Sequence, residues 1–477
     1  MKLKRYQSSD LIDANRKSQF HIPWLTTLPK HWEIVRSKTL FAARTERARP
    51  DDEQLSATQA YGVIPQKEFE RRVGRKVVQI TQHLDKRAHV EKDDFVISMR
   101  SFQGGLERAW ATGCIRSSYV VLKPSASVHV GYFAYLFKSH DYIKALQATS
   151  NFIRDGQDLN INNFSLVDLP VVPYQEQVSI AKFLDFVSHK VDRLVRAKQK
   201  QISLLNEQKQ AIIHRAVTRG LDPDVKMKDS GAHWLTGIPE HWDLRKIKQI
   251  VSIKGGMTPS KSEPEYWIGD IPWVSPKDMK TDYITDSIDH VSESAVKHTG
   301  ISLIPSQAIL MVVRGMILLR KVPVALTLNP VTINQDMKAL IPHKCIFPDF
   351  LRLLLHGIQD KVLELVEESG HGTRCLRSEM WENMQIPIPP FYEQKSIVEK
   401  VNQETHLIDS MLIVSLKEID CLKEYRTRLI ADVVTGKLDV RDVDVLFTDF
   451  STDLVSELGD EFLVDEVDLE LVSHDIA

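Results

Sequence analysis

Apolar residues recur every three or four positions along two stretches of this chain, residues 170–222 and 387–439. Residues with this spacing lie on one face of an α-helix, so the pattern predicts two long amphipathic helices. The apolar positions are Ile180, Leu184, Val187, Val191, Leu194, Ile202, Leu205, Ile212 and Ala216 in the first stretch, and Ile397, Val401, Ile408, Met411, Ile419, Leu422, Leu429 and Val433 in the second. The spacing is typical of a coiled-coil seam, with a stutter predicted between Leu194 and Ile202.

The two stretches are copies of each other. A shift of 217 residues superposes sixteen identical residues over 53 positions, including Pro170, Glu176, Gln177 and Asp192. Each copy begins with a proline-rich apolar run, which can neither continue a helix nor lie in the centre of a sheet. Both helices have the same face to bury, so we expect them to pair with each other. The alternative is two unrelated helices that each pack on their own domain.

A second repeat precedes each domain. The motif Trp24-Leu25-Thr26, Pro29 and His31-Trp32 returns as Trp234-Leu235-Thr236, Pro239 and His241-Trp242, and we call it the tryptophan motif. The chain is therefore two half-chains in tandem. It leaves the first helix at Asp222 and must pass through a whole domain before the second helix begins. We therefore expect an antiparallel helical spacer with one domain at each end, whose length sets the separation of the domains.

The segments between the repeats, about 33–169 and 243–386, share little sequence and have the short apolar runs of mixed α/β domains. Strands are predicted around Lys76–Ile80, Phe95–Met99, Tyr119–Leu122, Ile309–Val313, Val322–Leu326 and Met337–Ile341, and helices over Val130–Gln147 and Phe350–Glu368. The predicted organisation is a first domain (1–169), a first helical region (170–222), a second domain (223–386), a second helical region (387–439) and an acidic tail (440–477).

Charge is distributed unevenly along the chain. The whole chain of 477 residues has a formal charge of −2, but residues 439–477 contain thirteen acids and one base. The remainder holds 61 basic and 51 acidic residues, a balance that favours a nucleic-acid partner. We expect the acidic tail to lie away from the DNA, because carboxylates repel phosphate.

The four cysteines, Cys114, Cys345, Cys375 and Cys421, form no Cys-x-x-Cys pair, so free thiols and no zinc site are expected. With neither a membrane span nor a signal peptide evident, a cytoplasmic protein is expected.

Several motifs resemble those of the specificity subunit of type I restriction-modification enzymes. They are Ile238-Pro-Glu-His-Trp242, the run from Gly255-Gly256 through Thr258-Pro259-Ser260 and Glu265-Tyr266-Trp267 to Gly269-Asp270-Ile271-Pro272-Trp273-Val274-Ser275-Pro276-Lys277-Asp278-Met279, and both Pro-x-x-Glu-Gln helix starts. The second half-chain follows the family pattern closely. The first has Gln157-Asp158-Leu159 where the second has Arg374-Cys375-Leu376, and it lacks the Gly-Gly-x-Thr-Pro segment.

The resemblance implies an α/β fold with two target recognition domains and an antiparallel coiled-coil spacer. It also implies a subunit without catalytic activity that reads double-stranded DNA and docks two methyltransferase subunits and the restriction subunits on its helices. S-adenosylmethionine, ATP and Mg are then expected only on the partners. Two dissimilar readers cannot match a palindrome, so the target is expected to be bipartite and asymmetric.

Catalytic motifs are missing from the sequence. Pro389-Pro390-Phe391 resembles part of an adenine methyltransferase motif, but Ile388 stands where a hydrogen-bond acceptor is required. Thr435-Gly436-Lys437 lacks the preceding glycine of a P-loop. No catalytic residue and no metal ligand are therefore predicted.

DNA contacts are predicted in loops, since Arg and Lys read guanine edges and amides read adenine. The candidates are Arg100, Ser101, Gln103, Arg108, Arg154 and Gln157 in the first domain, and Lys254, Ser260, Lys261, Ser275, Lys277, Arg314 and Arg374 in the second. A solvated basic surface is the alternative for each of them. Two other functions also stay open: a coiled-coil scaffold that binds no DNA, and a fused methyltransferase or nuclease of an unrecognised type.

Overall fold

The computed structural model describes residues 4–14, 24–74, 76–77, 86–98, 101–149, 160–368 and 372–443. The chain divides into two compact units, one made of Met1–Arg196 with Glu418–Ala477 and the other of Ala197–Lys417. We call them unit 1 and unit 2. Each unit contains one mixed α/β domain, part of the first long helix and part of the second. Arg100, Arg154, Gln157 and the tail from residue 444 lie outside the described residues.

Unit 1 is built on one four-stranded antiparallel sheet and several hairpins. The sheet has the order Glu107–Arg108, Phe95–Ile97, Val120–Pro124, Phe41–Ala43. Two-stranded pairs are Gly113–Ile115 with Ala88–Val90, Leu55–Thr58 with Gly62–Pro65, Asp168–Val171 with Glu33–Arg36, Leu11–Asp13 with Thr27–Pro29, and Lys4–Arg5 with Leu438–Asp439. The helices of the domain are Ser37–Leu40, Gln66–Val73, Ser101–Gly104, Val130–Lys138, His140–Ala148 and Ile161–Leu166, with a 3-10 turn at Ser8–Asp10.

Unit 2 is built on a five-stranded sheet with the order Val251–Gly255, Met337–Pro342, Ile309–Val312, Val324–Thr327, Tyr283–Ile284. A three-stranded sheet contains Asp289–Val291, Ile271–Val274 and Thr332–Ile333. Pairs are Met227–Ala232 with Leu235–Pro239, Asp243–Lys246 with Gln385–Ile388, and Val366–Glu368 with Arg374–Leu376. The helices are Ile247–Ile250, Glu293–Thr299, Pro348–Gly357, Gln359–Leu363 and Ser378–Glu382, with 3-10 turns at Pro264–Trp267, Pro276–Asp278 and Met316–Leu319.

Two of the predicted helices are wrong in extent. The helix predicted over Val130–Gln147 is interrupted at Ser139, which is extended with ψ 141° and whose hydroxyl donates to Leu136 O at 2.7 Å. This local bond competes with the helical ladder. The helix predicted to reach Glu368 ends at Leu363, because residues Val366–Glu368 form a strand with Arg374–Leu376. The predicted strands that lie within the described residues are confirmed to within about two residues at their ends.

Both long helices are confirmed, at Tyr174–Arg219 and Phe391–Val434. Their seams are more regular than the sequence predicts. Spacings of four and three alternate without a stutter through residues that are all buried or half-buried: Leu184, Ser188, Val191, Val195, Lys198, Ile202, Leu205, Lys209, Ile212 and Ala216 in the first helix, and Val401, Thr405, Ile408, Leu412, Ser415, Ile419, Leu422, Arg426, Leu429 and Val433 in the second.

The predicted stutter arose from reading only apolar residues. Leu194 is 50% exposed whereas Val195 is buried, and Met411 is 38% exposed whereas Leu412 is half-buried. Lys198 occupies a seam position that an apolar search cannot find, so the pattern seemed to slip between Leu194 and Ile202. An unbroken heptad repeat is the geometry of a left-handed coiled coil.

The two helices are antiparallel within each unit. In unit 1 the start of the first helix shares a core with the end of the second, and Arg426 Nη1 lies 2.5 Å from Asp192 Oδ1. In unit 2 the end of the first helix shares a core with the start of the second, and Lys209 Nζ lies 2.5 Å from Asp409 Oδ1. Asp192 and Asp409 occupy equivalent positions of the repeat, as do Lys209 and Arg426. The sequence repeat is therefore also a repeat of contacts.

The Glu-Gln pair that opens each long helix fixes it to its domain. In unit 2 the Gln394 amide donates to Cys345 O and Pro389 O and accepts from Phe347 N at 2.7 Å. In unit 1 the Gln177 amide makes the equivalent bonds to Ser127 O, Val172 O and His129 N. Both glutamines are buried, so each satisfied amide joins a helix start to a particular loop.

Candidate DNA interface

In unit 2 the glycine-rich segment after strand Val251–Gly255 is held against residues 333–335. A Cβ at Gly256 would lie 2.0 Å from Asn334 O, so only glycine allows the two backbones to come this close. Met257 N donates to Ile333 O at 2.9 Å, and Thr258 Oγ1 bonds the Gln335 side chain. The Gly-Gly-x-Thr-Pro segment therefore has a fixed backbone.

Two tryptophans hold the other side of this segment. Trp273 Nε1 donates to Met257 O at 3.0 Å, and Trp267 Nε1 donates to Ser260 O at 3.1 Å. The two indoles pack edge to face with ring centroids 5.1 Å apart. Ser260 and Lys261 lie just beyond these anchors and are exposed. Rigid backbone with exposed polar side chains is an arrangement that can present hydrogen-bonding groups to a ligand.

The same region receives the turn after strand Ile309–Val312. Asp336 O accepts hydrogen bonds from Val313 N at 2.8 Å and from Arg314 N at 3.2 Å. Gly315 N donates to Arg374 O at 3.0 Å, and Arg314 forms a backbone bridge with Cys375. The structure therefore brings together the segments that carry Ser260, Arg314 and Arg374, which are up to 114 residues apart in the sequence.

The basic side chains of this region differ in whether they form an ion pair. The Arg314 side chain is exposed, whereas the Arg374 guanidinium lies 2.9 Å from Glu368 across the hairpin. Lys254 is exposed on the outer strand of the five-stranded sheet, next to Lys338, whose Nζ is 3.3 Å from the position of a Cβ on Gly255. We call the surface of Lys254, Ser260, Lys261, Arg314 and Arg374 the unit 2 basic surface.

Two other candidates of unit 2 have structural partners. Ser275 is buried, and its hydroxyl and backbone N–H both donate to Asp278 Oδ2 at 2.8 Å, which caps the 3-10 turn Pro276–Asp278. Lys277 is exposed and pairs with Asp289 at 2.7 Å. Ser275 thus shapes the loop from within, whereas Lys277 can exchange its carboxylate partner for a phosphate.

In unit 1 the three described candidates differ in accessibility. Ser101 is buried and its Oγ accepts from Ser98 N at 2.9 Å, while Gln103 is exposed. Arg108 donates to Asp93 Oδ1 through Nε at 2.9 Å and Nη2 at 2.6 Å, which orients its guanidinium. That guanidinium lies over the Trp110 ring, 4.3 Å from its centroid.

The sequence analysis missed an aromatic surface beside Arg108. Trp110 is 51% exposed, and Arg72 lies over the Tyr61 ring at 4.9 Å from its centroid. A cavity of about 360 Å³ is lined by Tyr61, Ile64, Pro65, Glu68, Arg72, Trp110 and Ala111. Gly62, with φ +71°, passes beneath the indole, where a Cβ would lie 2.9 Å from Trp110 Nε1. An exposed indole and a half-buried phenol ring, each with an arginine over it, suit stacking on nucleobases.

The signal for this surface was present but indirect. Trp110 follows Arg108 by two positions, and a strand places such residues on one face. Tyr61 and Arg72 lie on a separate hairpin and helix, so their proximity to Trp110 depends on tertiary structure.

Comparison with known proteins supports the fold. Residues 239–411 match the family described as the type I restriction modification DNA specificity domain. The specificity subunit of the type I restriction enzyme EcoR124I/EcoR124II of Escherichia coli is 37% identical over 179 residues, which cover 37% of this chain and 44% of that protein. The MjaVIII specificity subunit of Methanocaldococcus jannaschii is 23% identical over 437 residues, 87% of this chain and 95% of that protein.

A solved chain from work on assembly and conformational transition of the type I restriction-modification system has the same fold. Its TM-score is 0.61 at 14% identity, over 86% of this chain and 99% of that one. The likeness extends to both mixed α/β domains and both long helices of this chain. The chain is similar to type I restriction enzyme specificity subunits, and residues 239–411 match the DNA specificity domain of that family.

The chain spans less than half of the length of the first two curated relatives it matches, 44% and 40%. Among the described residues, none of the helices is both long enough and apolar enough to cross a membrane.

Proposed function

We propose that this chain is the DNA sequence-recognition subunit of a type I restriction-modification complex. Each unit would read one half of a bipartite, asymmetric target in double-stranded DNA. The observation that carries the proposal is the position of the unit 2 basic surface. It is formed by loops within residues 239–411, the segment that matches the DNA specificity domain.

The chemistry of the unit 2 basic surface suits this role. Arg314 is exposed on a turn whose backbone is fixed by Asp336, so its fork of donors can reach a guanine edge without much loss of entropy. Lys254 and Lys261 are exposed cations that suit phosphate contacts, which position the protein without specifying a sequence. Arg374 would exchange its bond to Glu368 for one to DNA.

The two units present different chemistry. Unit 1 offers Trp110, Tyr61 and their stacked arginines, whereas unit 2 offers a glycine-rich segment and exposed basic side chains. Palindromic sites are read by protein surfaces related by two-fold symmetry. Two dissimilar surfaces therefore favour a target whose half-sites differ in sequence.

The helices supply a surface for partner subunits. On the part of the second helix in unit 2, Leu407 is 67% exposed, and Ile413, Val414 and Leu416 are each 54% exposed. Leu407 and Val414 lie on one side of the helix and Ile413 and Leu416 on the other, and such exposed apolar surface can serve as an interaction site. We assign it to the two methyltransferase subunits, with the restriction subunits joining the same complex. S-adenosylmethionine, ATP and Mg would be bound by those partners, and this chain would have no catalytic role.

The test is reconstitution with a methyltransferase subunit from the same restriction-modification system. The chain is mixed with that subunit, a library of duplexes and S-adenosylmethionine, and methylated adenines are mapped by sequencing. We expect methylation at one bipartite asymmetric sequence from the mixture, and none from either component alone. Methylation by the chain alone, or a methylated sequence that does not depend on the chain, would overturn the proposal.

A scaffold that binds no DNA is the second candidate, since the paired helices alone would suit it. Fluorescence anisotropy with a labelled duplex at low salt separates the two. Binding that weakens steeply with added salt is expected of the recognition subunit, because phosphate contacts release counterions. A scaffold would show no binding at any salt concentration.

A further inference from the structure

A buried histidine in unit 1 has a ring nitrogen without a hydrogen-bond partner. His89 lies on strand Ala88–Val90 and its side chain is 0% exposed. Its Nδ1 is 2.8 Å from Asp52 Oδ2, and that carboxylate is itself nearly buried. A carboxylate can only accept, so Nδ1 carries the proton and Nε2 presents a lone pair. Among the described residues, none donates a hydrogen bond to Nε2.

The lone pair of Nε2 faces two carboxylates. Glu91 Oε1 is 3.9 Å from Nε2, and one ligand atom from each of His89, Glu46 and Glu91 lies within 4.8 Å of the others. The backbone fixes this arrangement, because His89 N donates to Glu46 O at 3.0 Å. Three lone-pair donors that converge in a partly buried place repel one another unless a positive charge lies between them.

Two arginines bond the carboxylates but not the imidazole nitrogen. Arg44 is 3% exposed and bonds Glu46 at 2.9 Å, Glu91 at 2.8 Å and Asp94 at 2.7 Å. Arg49 bonds Glu46 at 3.0 Å and is 3.7 Å from Glu91 Oε1. Neither guanidinium donates a hydrogen bond to His89 Nε2.

The cluster has excess negative charge. Of its four carboxylates, Glu46, Glu91 and Asp94 are bonded by the guanidiniums of Arg44 and Arg49, whereas Asp52 is bonded by His89. With the buried Arg87, two positions before His89, counted as well, one negative charge remains in excess, and a bound cation would offset it.

We propose that His89, Glu46 and Glu91 form a binding site for a divalent transition-metal ion, with Asp52 orienting the imidazole. A carboxylate bonded to the far nitrogen of a histidine is the usual outer support of a metal ligand, since it fixes the tautomer and makes the ligating nitrogen more basic. One imidazole and two carboxylates suit Zn²⁺ or Mn²⁺, with water in the remaining positions.

The ion would have a structural role. Ligand atoms on a tetrahedral zinc are about 3.3 Å apart when the bonds are ~2.0 Å long. The ligand atoms here lie within 4.8 Å of one another, so the carboxylates would move closer to His89 when the ion binds. Glu46 and Glu91 are about half exposed and have room to move. The ion would join the segment 46–52 to strand Ala88–Val90, two parts of unit 1 that lie about 40 residues apart in the sequence. The inference does not depend on the proposed function.

The test uses the full-length chain without an affinity tag. The protein is stripped with a chelator and titrated with Zn²⁺ and separately with Mn²⁺ by isothermal calorimetry, and bound metal is measured by mass spectrometry after dialysis. We expect one equivalent per chain. The melting temperature should rise by at least ~3 °C with saturating metal, because a ligand that binds only the folded state stabilises it.

Three variants locate the site. His89→Gln and Glu91→Gln should each lose the stoichiometric binding, and Asp52→Asn should weaken it roughly 10–100-fold because it orients without ligating. His290→Gln is the matched control, since His290 forms a similar pair with Asp286 in unit 2 but lies outside the cluster. Glu91 is exposed enough that its variant will fold even if His89→Gln does not.

Two results would overturn the proposal. One is no equivalent of metal retained by the unmodified chain. The other is equal retention by the unmodified chain and Glu91→Gln.

Discussion

The indole Nε1 of Trp242 donates a hydrogen bond to Glu393 Oε2 at 3.1 Å. His241 Nε2 bonds the same carboxylate at 2.8 Å, and a Cβ at Gly220 would lie 3.2 Å from its other oxygen. One carboxylate in unit 2 thus joins the tryptophan motif, the end of the first long helix and the start of the second. Unit 1 repeats the arrangement with Trp32, His31 and Glu176, where Tyr6 adds a further bond.

Removing the indole donor should destabilise unit 2. Trp242 is fully buried, so Trp242→Phe leaves the Glu393 carboxylate one donor short, and such losses cost about 1–3 kcal/mol. Urea unfolding followed by circular dichroism measures the change. Because the smaller ring also leaves a cavity, the loss in Trp242→Phe is not due to the hydrogen bond alone. Glu393→Gln and the double variant are therefore measured as well, which separates the hydrogen bond from the cavity. We expect a coupling of roughly 0.5–3 kcal/mol between the two sites. Additive effects would show that the hydrogen bond contributes nothing.

These contacts show what the sequence could predict. The repeats of Glu-Gln and of the tryptophan motif predicted two equivalent half-chains, and the structure adds that equivalent residues make equivalent bonds. The indoles of Trp24 and Trp234 donate to Asp168 O and Gln385 O, each on the strand that precedes a long helix. A repeated sequence predicts a repeated structure, but the partner of each side chain needs the tertiary fold.

The seams show where hydrophobic patterning fails. A search for apolar residues selects Leu194 and Met411, which are exposed, and passes over Thr405 and Ser415, which are buried. Register in a coiled coil follows the heptad geometry, which admits polar residues at single positions. The DNA interface is harder still, because Trp110 and Tyr61 come from different elements. A loop sequence also does not show which of its side chains are exposed: Gln103 is exposed, whereas Ser101 is buried.

Arg314 should contribute to base preference in the half-site read by unit 2. Replacing it with Ala removes an exposed side chain on a turn that the backbone fixes, so stability should change little. Loss of a bidentate base contact costs about 1–3 kcal/mol of discrimination at one base pair. Mapping methylated sites in the reconstituted complex should show a relaxed base at one position.

Arg320→Ala is the matched control, because Arg320 is an exposed arginine six residues further along the same unit. It should leave the target sequence unchanged. If Arg314→Ala also leaves every base preference intact and only weakens binding, Arg314 contacts phosphate and the assignment is wrong.

Trp110 should contribute to DNA affinity through unit 1. Trp110→Ala removes the ring beneath the Arg108 guanidinium, and stacking of one base on an aromatic side chain is worth about 1–3 kcal/mol. We expect a roughly 10-fold or larger rise in Kd for the specific duplex, measured by fluorescence anisotropy. Tyr392→Ala is the control, because Tyr392 is a 72% exposed aromatic residue on the second long helix. Equal affinities for both variants and the unmodified chain would exclude Trp110 from the interface.

Glu107 should make the stability of unit 1 fall as pH rises. Its side chain is 3% exposed, and burial raises its pKa to about 7, against the opposing influence of Lys138 Nζ at 2.5 Å. In the unfolded chain the same carboxyl titrates near ~4.3. Between these two values the folded unit keeps a proton that the unfolded chain has lost, so the free energy of unfolding decreases with pH. Below that window both states are protonated, and above it both are ionised, so the contribution is constant there.

The variant Glu107→Gln removes this titration. In the unmodified chain the unfolding free energy should fall by up to roughly 1.4 kcal/mol per pH unit between about pH 5 and 7, because the folded state binds one proton more than the unfolded state there. In Glu107→Gln this part of the pH dependence should be absent. Amide hydrogen exchange of strands Phe95–Ile97 and Val120–Pro124, measured at pH 5, 6 and 7 and corrected for intrinsic exchange rates, reports unit 1 alone. Glu364→Gln serves as the control, since Glu364 pairs with Lys361 on the surface of unit 2 and is 59% exposed. An unchanged slope in Glu107→Gln would mean that Glu107 remains ionised in the fold, with Lys138 compensating fully for its burial.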